Sequence, residues 1–499
     1  MISPVLTQET SKAFEGIFDA AALPATMPAL ILAAGALLML LIEIVPGTRA
    51  VRPVVVIASL VGALVAQYCQ LSEPAGPVLG GIYASTEVTA VWGMLFAAGA
   101  LLAWVYSLGY YGDKARPFLA EHDMLFLSAP AGMTLMVQAT DLLVFFIGLE
   151  ILSLPLYALA AFRRQRPESV EAGLKYFLLG AFAAATFLFG TALLYTATGT
   201  ISVPELRGMM GDTITTTPLF LAGAGLLTAG IFFKISVFPF HLWVPDVYQG
   251  SPTPVTTLMA TGTKAAAFGF LIPLSFILPI EATGLIAAIA LLTMAAGNLG
   301  ALVQDDLKRM MAYSGIAHAG TILLVIAGFL ASGRADLVAD EAVQASLFYL
   351  AAYLFTSTGT FGLLAMLERD GEDLTRLSAL RGLARRRPAV AAAMTLFMLS
   401  LGGIPATGGF FGKWFVFSVL VKQEMYAVAI LGALMSVVAL GYYLRVIVTL
   451  WMEPLAEADA ERRAPVTIPA GLATGVCALG VLALGFMPHW FLGLLEMVA

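Results

Sequence analysis

The chain has 499 residues, of which 60% are hydrophobic and only 12% are charged, and its formal net charge is -6. A soluble domain carries about 25% charged residues, so this composition excludes an ordinary soluble protein and indicates that most of the chain lies in lipid. The negative net charge excludes a basic face for nucleic acid. The two cysteines, Cys69 and Cys477, lie in separate apolar runs and cannot supply the ligands of an iron–sulfur cluster.

Fourteen hydrophobic spans follow one another along the chain, each near the ~20 residues that a helix needs to cross a bilayer. Helices are expected, because every backbone polar group of an open chain in lipid must be satisfied within its own segment. We therefore predict an all-α integral membrane protein with about 14 transmembrane helices. The predicted spans, numbered 1 to 14 in chain order, cover residues 27–46, 53–72, 87–110, 122–140, 141–162, 170–196, 218–250, 254–278, 281–303, 308–331, 341–367, 388–423, 425–452 and 466–490.

The basic residues predict the orientation of these spans. The loops that follow odd-numbered spans hold 17 of the 26 lysines and arginines, whereas the N-terminus and the other loops hold four. Because loops with an excess of lysine and arginine stay in the cytoplasm, the odd loops are predicted to be cytoplasmic and both termini periplasmic.

Spans 7 and 12 are too long for one crossing and carry helix breakers at their centres. Pro239 interrupts span 7, and the glycine-rich segment 402–409 with Pro405 interrupts span 12. Proline removes a helix donor and clashes with the preceding turn, so each span is predicted to form two half-helices around an unwound segment.

The broken spans also predict an internal repeat. Span 12 lies five spans after span 7 and therefore crosses the membrane in the opposite sense. Spans 4–8 and 9–13 are thus predicted to be two inverted five-helix repeats, as in transporters whose ion sites lie at discontinuous helices. The predicted units are the N-terminal spans in 1–121, the first repeat in 122–280, the second repeat in 281–452 and span 14 in 453–499.

Ionisable residues inside these apolar spans are the main functional signal. Such groups are costly in lipid and usually mark ion or proton pathways. Glu150, Lys234 and Lys264 lie near the centres of spans 5, 7 and 8, and Lys413 follows the break in span 12 as the counterpart of Lys234. Burial disfavours a charged lysine and a nearby carboxylate favours it, so Glu150 is the expected partner. The alternative is that each lysine extends its ammonium to the membrane–water interface. That arrangement is typical of lysines near helix ends rather than near helix centres.

Three further residues are weaker candidates for proton transfer. Lys175 lies in span 6 four residues after Glu171, so a plain structural salt bridge is an alternative. His241 follows the break in span 7 and His318 lies in span 10, where each histidine could relay protons or serve as a hydrogen-bonded packing residue. Arg445 in span 13 is too basic to exchange protons and is predicted to pair with a carboxylate or a carbonyl. No phosphate loop, catalytic triad or metal-ligand motif occurs in the sequence.

Four stretches carry a resemblance to a known family. Residues 240–255, FHLWVPDVYQGSPTPV, resemble the signature of subunit N among the antiporter-like membrane subunits of proton-pumping NADH:quinone oxidoreductase, respiratory complex I. Residues 148–155, 306–314 and 403–413 resemble the same family, and the resemblance covers essentially the whole chain. Subunit M generally has a glutamate in the broken twelfth helix, whereas this chain has Lys413, which favours subunit N.

The resemblance implies a role for each candidate residue. Glu150 and Lys234 would be the modulating pair, Lys264 the middle relay and Lys413 the terminal lysine, with His241 and His318 assisting transfer. It also implies a proton-pumping subunit without a redox centre, cofactor or metal of its own. Flavin mononucleotide, iron–sulfur clusters and quinone would be bound by partner subunits, and the neighbours would be subunits M, J and K and membrane lipids. The expected location is a bacterial plasma membrane.

Three other readings compete with this hypothesis. The first is a subunit of a multi-subunit sodium/proton antiporter, which would exchange cations without flavin- or cluster-bearing partners. The second is a solute permease, which needs a polar substrate cavity, whereas the buried polar groups here are mostly ionisable and spread over several spans. The third is a purely structural membrane subunit, in which buried lysines would be a cost without a function.

Overall fold

The computed structural model describes residues 21–45, 48–111, 120–368, 375–454 and 467–496. Helices occupy all fourteen predicted spans within these ranges, so the predicted all-α membrane fold is confirmed. The continuous helices are Ala22–Ile44, Arg52–Ser72, Glu87–Tyr110, Ala120–Gln138, Leu142–Ala160, Pro167–Thr198, Thr283–Leu302, Leu307–Ala331, Asp336–Leu367, Tyr426–Trp451 and Ile468–Phe486, which form spans 1–6, 9–11, 13 and 14.

Spans 7, 8 and 12 are divided. Span 7 consists of Pro218–Ile235 and Trp243–Gly250, and span 12 consists of Pro388–Gly402 and Gly408–Lys422. Span 8 runs from Thr253 to Ile277 and contains one π-helical turn, Met259–Thr263, followed by Lys264–Leu274. Three short helices complete the helical elements, Val203–Gly208, Leu383–Arg386 and Pro488–Glu496. The 3-10 turns outside the spans are Thr48–Val51, Leu79–Gly81, Thr213–Thr216, Ile280–Ala282 and Leu377–Leu380. Two short strands, Gly76–Val78 and Tyr83–Ser85, pair antiparallel with Gly76 opposite Ser85.

Twelve helices of the described ranges are long and apolar enough to cross a bilayer by themselves. Spans 4 and 12 do not meet this criterion. Span 4 begins with Glu121, His122 and Asp123, which lower its hydropathy, and each half of span 12 has only 15 residues. Both are nevertheless packed among the other spans as predicted.

Both breaks follow from local backbone geometry. The first half of span 7 ends at Ser236 with a φ of 66°, and the first half of span 12 ends at Gly403 with a φ of 81°. A left-handed residue ends an α-helix by turning the chain, and the next amide then closes the last turn: Val237 donates to the carbonyl of Phe232, and Ile404 to that of Leu399. Residues 236–242 and 403–407 are the resulting unwound segments, as predicted.

The two five-helix units share a detail that supports their repeat relationship. Asp141 caps the start of span 5 and Asp306 caps the start of span 10, each accepting hydrogen bonds from backbone amides. Each aspartate also forms an isolated antiparallel bridge to the segment after the third span of its unit, with Ser202 and Arg376 respectively. In each unit, the same pair of backbone hydrogen bonds therefore joins the start of the second span to the segment after the third span. The limits 122–280 and 281–452 remain predictions.

Small residues bring the spans into close contact. A Cβ atom on Gly132 would lie 2.7 Å from the carbonyl oxygen of Gly148, and one on Gly297 would lie 2.5 Å from the amide nitrogen of Ala317. These contacts join span 4 to span 5 and span 9 to span 10, the first two spans of each unit. Such close backbone approach is typical of membrane helix packing.

Candidate proton-translocation site

Three lysines lie inside the helical bundle, away from its surface. The relative exposure is 3% for Lys234, 1% for Lys264 and 8% for Lys413. Among the described residues, none of the three has a carboxylate oxygen within 4.0 Å of its ammonium nitrogen. All three are therefore buried without a direct ion pair, which is a costly arrangement for a permanent charge.

Aromatic rings surround Lys234, which lies in the last turn before the break in span 7. Its Nζ is 3.5 Å from the hydroxyl of Tyr176 and 5.3 Å from the ring centroid of Tyr157. Glu150 on span 5 is only half-buried. Among the described residues it forms no ion pair with Lys234 within 4.0 Å, so their electrostatic partnership stays a prediction.

Trp243 connects the two sides of this break. Its Nε1 donates a hydrogen bond of 3.1 Å to the carbonyl oxygen of Phe233 in the last turn of the first half-helix, which also accepts from the Ser236 amide. The Trp243 ring also stacks on Tyr176, with 4.5 Å between the ring centroids. The environment of Lys234 is therefore fixed by both halves of span 7.

Lys264 follows directly after the π-helical turn of span 8. Its Nζ is 5.8 Å from the ring centroids of both Tyr248 and Tyr353 and has no hydrogen-bond partner among the described residues. A Cβ atom on Gly315 would lie 2.6 Å from this Nζ, so the glycine leaves the room that the ammonium occupies. Single π-turns in membrane and soluble helices frequently lie at functional sites.

His318 on span 10 connects the surroundings of Lys264 to those of Lys413. Its Nδ1 is 2.6 Å from the hydroxyl of Tyr349, and its Nε2 is 3.0 Å from the hydroxyl of Tyr443. The Tyr353 ring, which faces Lys264, is 5.1 Å from the imidazole centroid. One small cavity is lined by His318 and Tyr353, and another by His318 and Lys413.

Lys413 is held by the C-terminal end of a half-helix. Its Nζ donates hydrogen bonds to the carbonyl oxygens of Leu401 and Gly402, both at 3.0 Å. These are among the last carbonyls of Pro388–Gly402, which have no partner within their own helix and carry the negative end of its dipole. The break in span 12 thus supplies the partial negative charge that a carboxylate would otherwise provide.

The tyrosines of this site were missed by sequence reasoning. Tyr349 and Tyr353 lie four residues apart on span 11, and Ser314 and His318 lie four apart on span 10. Polar residues at this spacing share one face of a helix. A search for polar stripes within apolar spans, rather than for charges alone, would have found them.

The remaining predicted residues lie outside this group. His241 is buried in the unwound segment of span 7, and no described residue hydrogen-bonds to its Nδ1. Lys175 has a side chain 40% exposed and forms salt bridges with Glu171 at 2.7 Å and Asp246 at 2.6 Å. The alternative structural pair with Glu171 is therefore present, and the structure does not bring Lys175 to the buried lysines.

Arg445 pairs with Asp305 at 2.5 Å and with the carbonyl oxygen of Gln304 at 2.8 Å, which confirms the predicted pairing. Among the described residues, no group of three or more His, Cys, Asp or Glu side chains is arranged to hold a metal ion.

Comparison with known proteins identifies the family. Residues 139–439 match the family described as NADH:quinone oxidoreductase/Mrp antiporter, TM. NADH-quinone oxidoreductase subunit N of Myxococcus xanthus is 38% identical over 504 aligned residues, which cover 94% of this chain and 96% of the relative.

Solved structures agree with this assignment. A chain of respiratory complex I from Thermus thermophilus with bound aureothin is 36% identical and superposes with a TM-score of 0.79, covering 95% of this chain and 100% of that one. A chain of the Mrp complex from Dietzia sp. DQ12-45-1b has a TM-score of 0.79 over 95% of this chain and 96% of that one, but at 20% identity it shares only the fold. The chain therefore belongs to the subunit N family of NADH-quinone oxidoreductase, within the antiporter-like membrane subunits.

Proposed function

We propose that this chain is a proton-translocating subunit of the membrane arm of an NADH:quinone oxidoreductase. One observation carries the proposal: three buried lysines lie on spans 7, 8 and 12 without carboxylate contacts, and tyrosines and His318 lie between them. Buried lysines can serve in proton exchange, and ionisable groups at membrane depth usually mark proton pathways.

The proposed sequence of transfer runs from Lys264 through His318 to Lys413. The hydroxyls of Tyr349 and Tyr443 hydrogen-bond to the two ring nitrogens of His318, so the imidazole can accept a proton on one side and release one on the other. The wider gaps to the two lysines need bridging water molecules. Lys234 and Glu150 act upstream: a change in their electrostatic interaction alters the charge that Lys264 experiences.

The roles of Lys175 and His241 are less direct in this proposal. Lys175 and Asp246 hold the second half of span 7 against span 6, so Lys175 would influence translocation through the position of that half-helix. His241 lies in the unwound segment of span 7, where it would assist transfer beside Lys234.

The family assignment supports the remaining parts of the proposal. The chain acts as a translocase without a redox centre, and partner subunits hold the flavin, iron–sulfur clusters and quinone. Antiporter-like subunit M and the small subunits J and K are the proposed neighbours. The proposed location is a bacterial plasma membrane, and the excess of basic residues in the odd loops supports periplasmic termini.

Replacement of Lys234 by alanine in the assembled complex tests the proposal. We expect Lys234→Ala to lower NADH-driven proton translocation by roughly tenfold or more, because no other lysine of the described residues lies at this break. Proton uptake into inverted membrane vesicles is the measurement, and native gel electrophoresis reports the amount of complex. Lys422→Ala is the matched control, since Lys422 is exposed and paired with Glu341. Wild-type proton translocation by Lys234→Ala would contradict the proposal.

A further inference from the structure

A second buried charge pair lies apart from the proposed proton-transfer residues. Lys308 is in the first turn of span 10 and Glu368 directly follows span 11, with side-chain exposures of 2% and 0%. Their closest charged atoms, Nζ and Oε1, are 3.9 Å apart. This distance allows Coulomb attraction but exceeds the length of a hydrogen bond.

The pair is incompletely satisfied for a structural salt bridge. Lys308 donates a hydrogen bond of 2.7 Å to the carbonyl oxygen of Ser251, and Thr253 donates to Oε1 of Glu368. Oε2 of Glu368 is buried and has no hydrogen-bond partner among the described residues. A buried ion pair contributes to stability only when its geometry is good and its remaining polar atoms are satisfied. Glu368 therefore keeps one carboxylate oxygen, Oε2, that no described residue hydrogen-bonds.

A charged cleft is lined by residues that adjoin the pair along the chain. Its volume is about 410 Å³, and Asp246, Gly250, Asp306 and Thr375 line it. Gly250 precedes Ser251, the residue that accepts the Lys308 hydrogen bond, and Asp306 caps the helix on which Lys308 lies. The cleft is at the end of the bundle where the basic loops lie, which is the predicted cytoplasmic end.

Polar groups continue inward from the pair towards Lys264. Thr253 and Lys264 lie on the same span, eleven residues apart, which is about 16 Å along a helix. The hydroxyls of Tyr248 and Thr358 are both buried without a hydrogen-bond partner among the described residues. The Tyr248 ring also faces the Lys264 ammonium. Through Ser251 and Thr253 the pair is thus connected to the cleft residue Gly250 on one side and to the span that carries Lys264 on the other.

We propose that Glu368 is the proton-uptake residue for Lys264 and that Lys308 holds it in place. A hydronium ion in the cleft loses a proton and becomes water, an O–H bond forms at Oε2 of Glu368, and the neutral acid no longer attracts Lys308. That O–H bond then breaks as the proton passes inward over the Tyr248 hydroxyl and water, and an N–H bond forms at the lone pair of the neutral Lys264 amine, which becomes an ammonium. Glu368 returns to the carboxylate and again attracts Lys308. This inference rests on the function proposed above.

Neutral replacements separate proton uptake from a structural role. Glu368→Gln keeps the shape and the Thr253 contact but cannot carry a proton, and Lys308→Met with Glu368→Gln removes both buried charges at once. We expect both variants to lower NADH-driven proton translocation in inverted vesicles by about tenfold or more per assembled complex. Glu368→Asp, which keeps a titratable carboxyl, is expected to retain at least half of the rate.

The exposed pair Lys422 and Glu341, 2.7 Å apart, gives the matched control. Lys422→Met with Glu341→Gln is expected to pump at the wild-type rate. Wild-type pumping by Glu368→Gln would overturn the uptake role, whatever the double variant does. If Lys234→Ala still abolishes pumping in that case, the proposed function stands and only the uptake role fails. If Lys234→Ala pumps normally, the proposed function itself fails.

Discussion

At the scale of single residues, the three buried lysines are stabilised by different partners. Aromatic rings face Lys234 and Lys264, whereas two helix-terminal carbonyls accept hydrogen bonds from Lys413. The faces of aromatic rings attract a cation, and the two carbonyl oxygens accept hydrogen bonds from the Lys413 ammonium. None of these partners is a carboxylate, so none of the three lysines is held by a fixed ion pair.

The tyrosine beside His318 provides a prediction at this scale. Tyr443→Phe removes the hydroxyl that lies 3.0 Å from Nε2 of His318 and 2.6 Å from Oγ of Ser314. The loss of the hydrogen bond to His318 costs about 1 kcal/mol. Added to the activation free energy of proton transfer, this cost should lower proton translocation by roughly fivefold, while the complex assembles normally. Vesicle acidification during NADH oxidation is the measurement.

The adjacent tyrosine is the matched control for this prediction. Tyr442 is equally buried, but its hydroxyl donates to Asn298 rather than to His318. Tyr442→Phe is expected to translocate protons at nearly the wild-type rate. Equal losses in both variants would show that the hydroxyls act through packing and not through His318.

At the scale of secondary-structure elements, the breaks in spans 7 and 12 create the lysine sites. Ending a helix inside the bundle exposes carbonyls that need donors. Trp243 supplies one donor at the first break and Lys413 supplies another at the second. The broken helices thus position their lysines and also determine how the lysines are stabilised.

The second break should tolerate no added side chain at Gly409. A Cβ atom there would lie 1.9 Å from the carbonyl oxygen of Ser400, which is backbone and cannot rotate away. Gly409→Ala is therefore expected to destabilise the subunit by about 1–3 kcal/mol or more and to lower the amount of assembled complex. The thermal midpoint of the purified complex is the measurement.

Gly475 on span 14 is the control for Gly409. A Cβ atom at Gly475 meets no atom within 4 Å, so Gly475→Ala should leave the thermal midpoint unchanged or raise it slightly. A wild-type midpoint for Gly409→Ala would mean that the two halves of span 12 are not packed as closely as described.

At the scale of the whole molecule, a buried charge cluster joins the N-terminal spans to the first repeat. Asp123 on span 4 is fully buried and accepts hydrogen bonds from Arg52 at 3.2 Å and from Trp104 at 2.8 Å. Arg52 begins span 2 and Trp104 lies in span 3. One carboxylate therefore connects three spans of two predicted units.

Loss of this carboxylate should loosen the connection. Asp123→Ala leaves the buried Arg52 without this partner and is expected to cost about 3–5 kcal/mol, which lowers the yield of assembled complex. Native gel electrophoresis of solubilised membranes is the measurement. Asp336→Ala, which breaks an exposed pair with Arg207, should leave assembly unchanged. Normal assembly of Asp123→Ala would show that apolar packing alone holds the N-terminal spans.

The sequence by itself determined the number, order and breaks of the spans, the burial of Lys234, Lys264 and Lys413, and the family. These features follow from hydropathy, from proline and glycine, and from contiguous motifs, all of which are local along the chain. The position of Lys175 within span 6 also suggested that it could join the other lysines. Its contacts with Glu171 and Asp246 instead keep it near the surface.

Only the tertiary structure decided which groups face each lysine. The tyrosines around Lys264, the carbonyls at Lys413 and the pair of Lys308 with Glu368 come from spans that are far apart in the sequence. Their proximity depends on how the helices rotate and cross, which is set by packing of side chains from many spans together. Hydropathy indicates that a residue is buried, but it does not indicate which groups contact that residue.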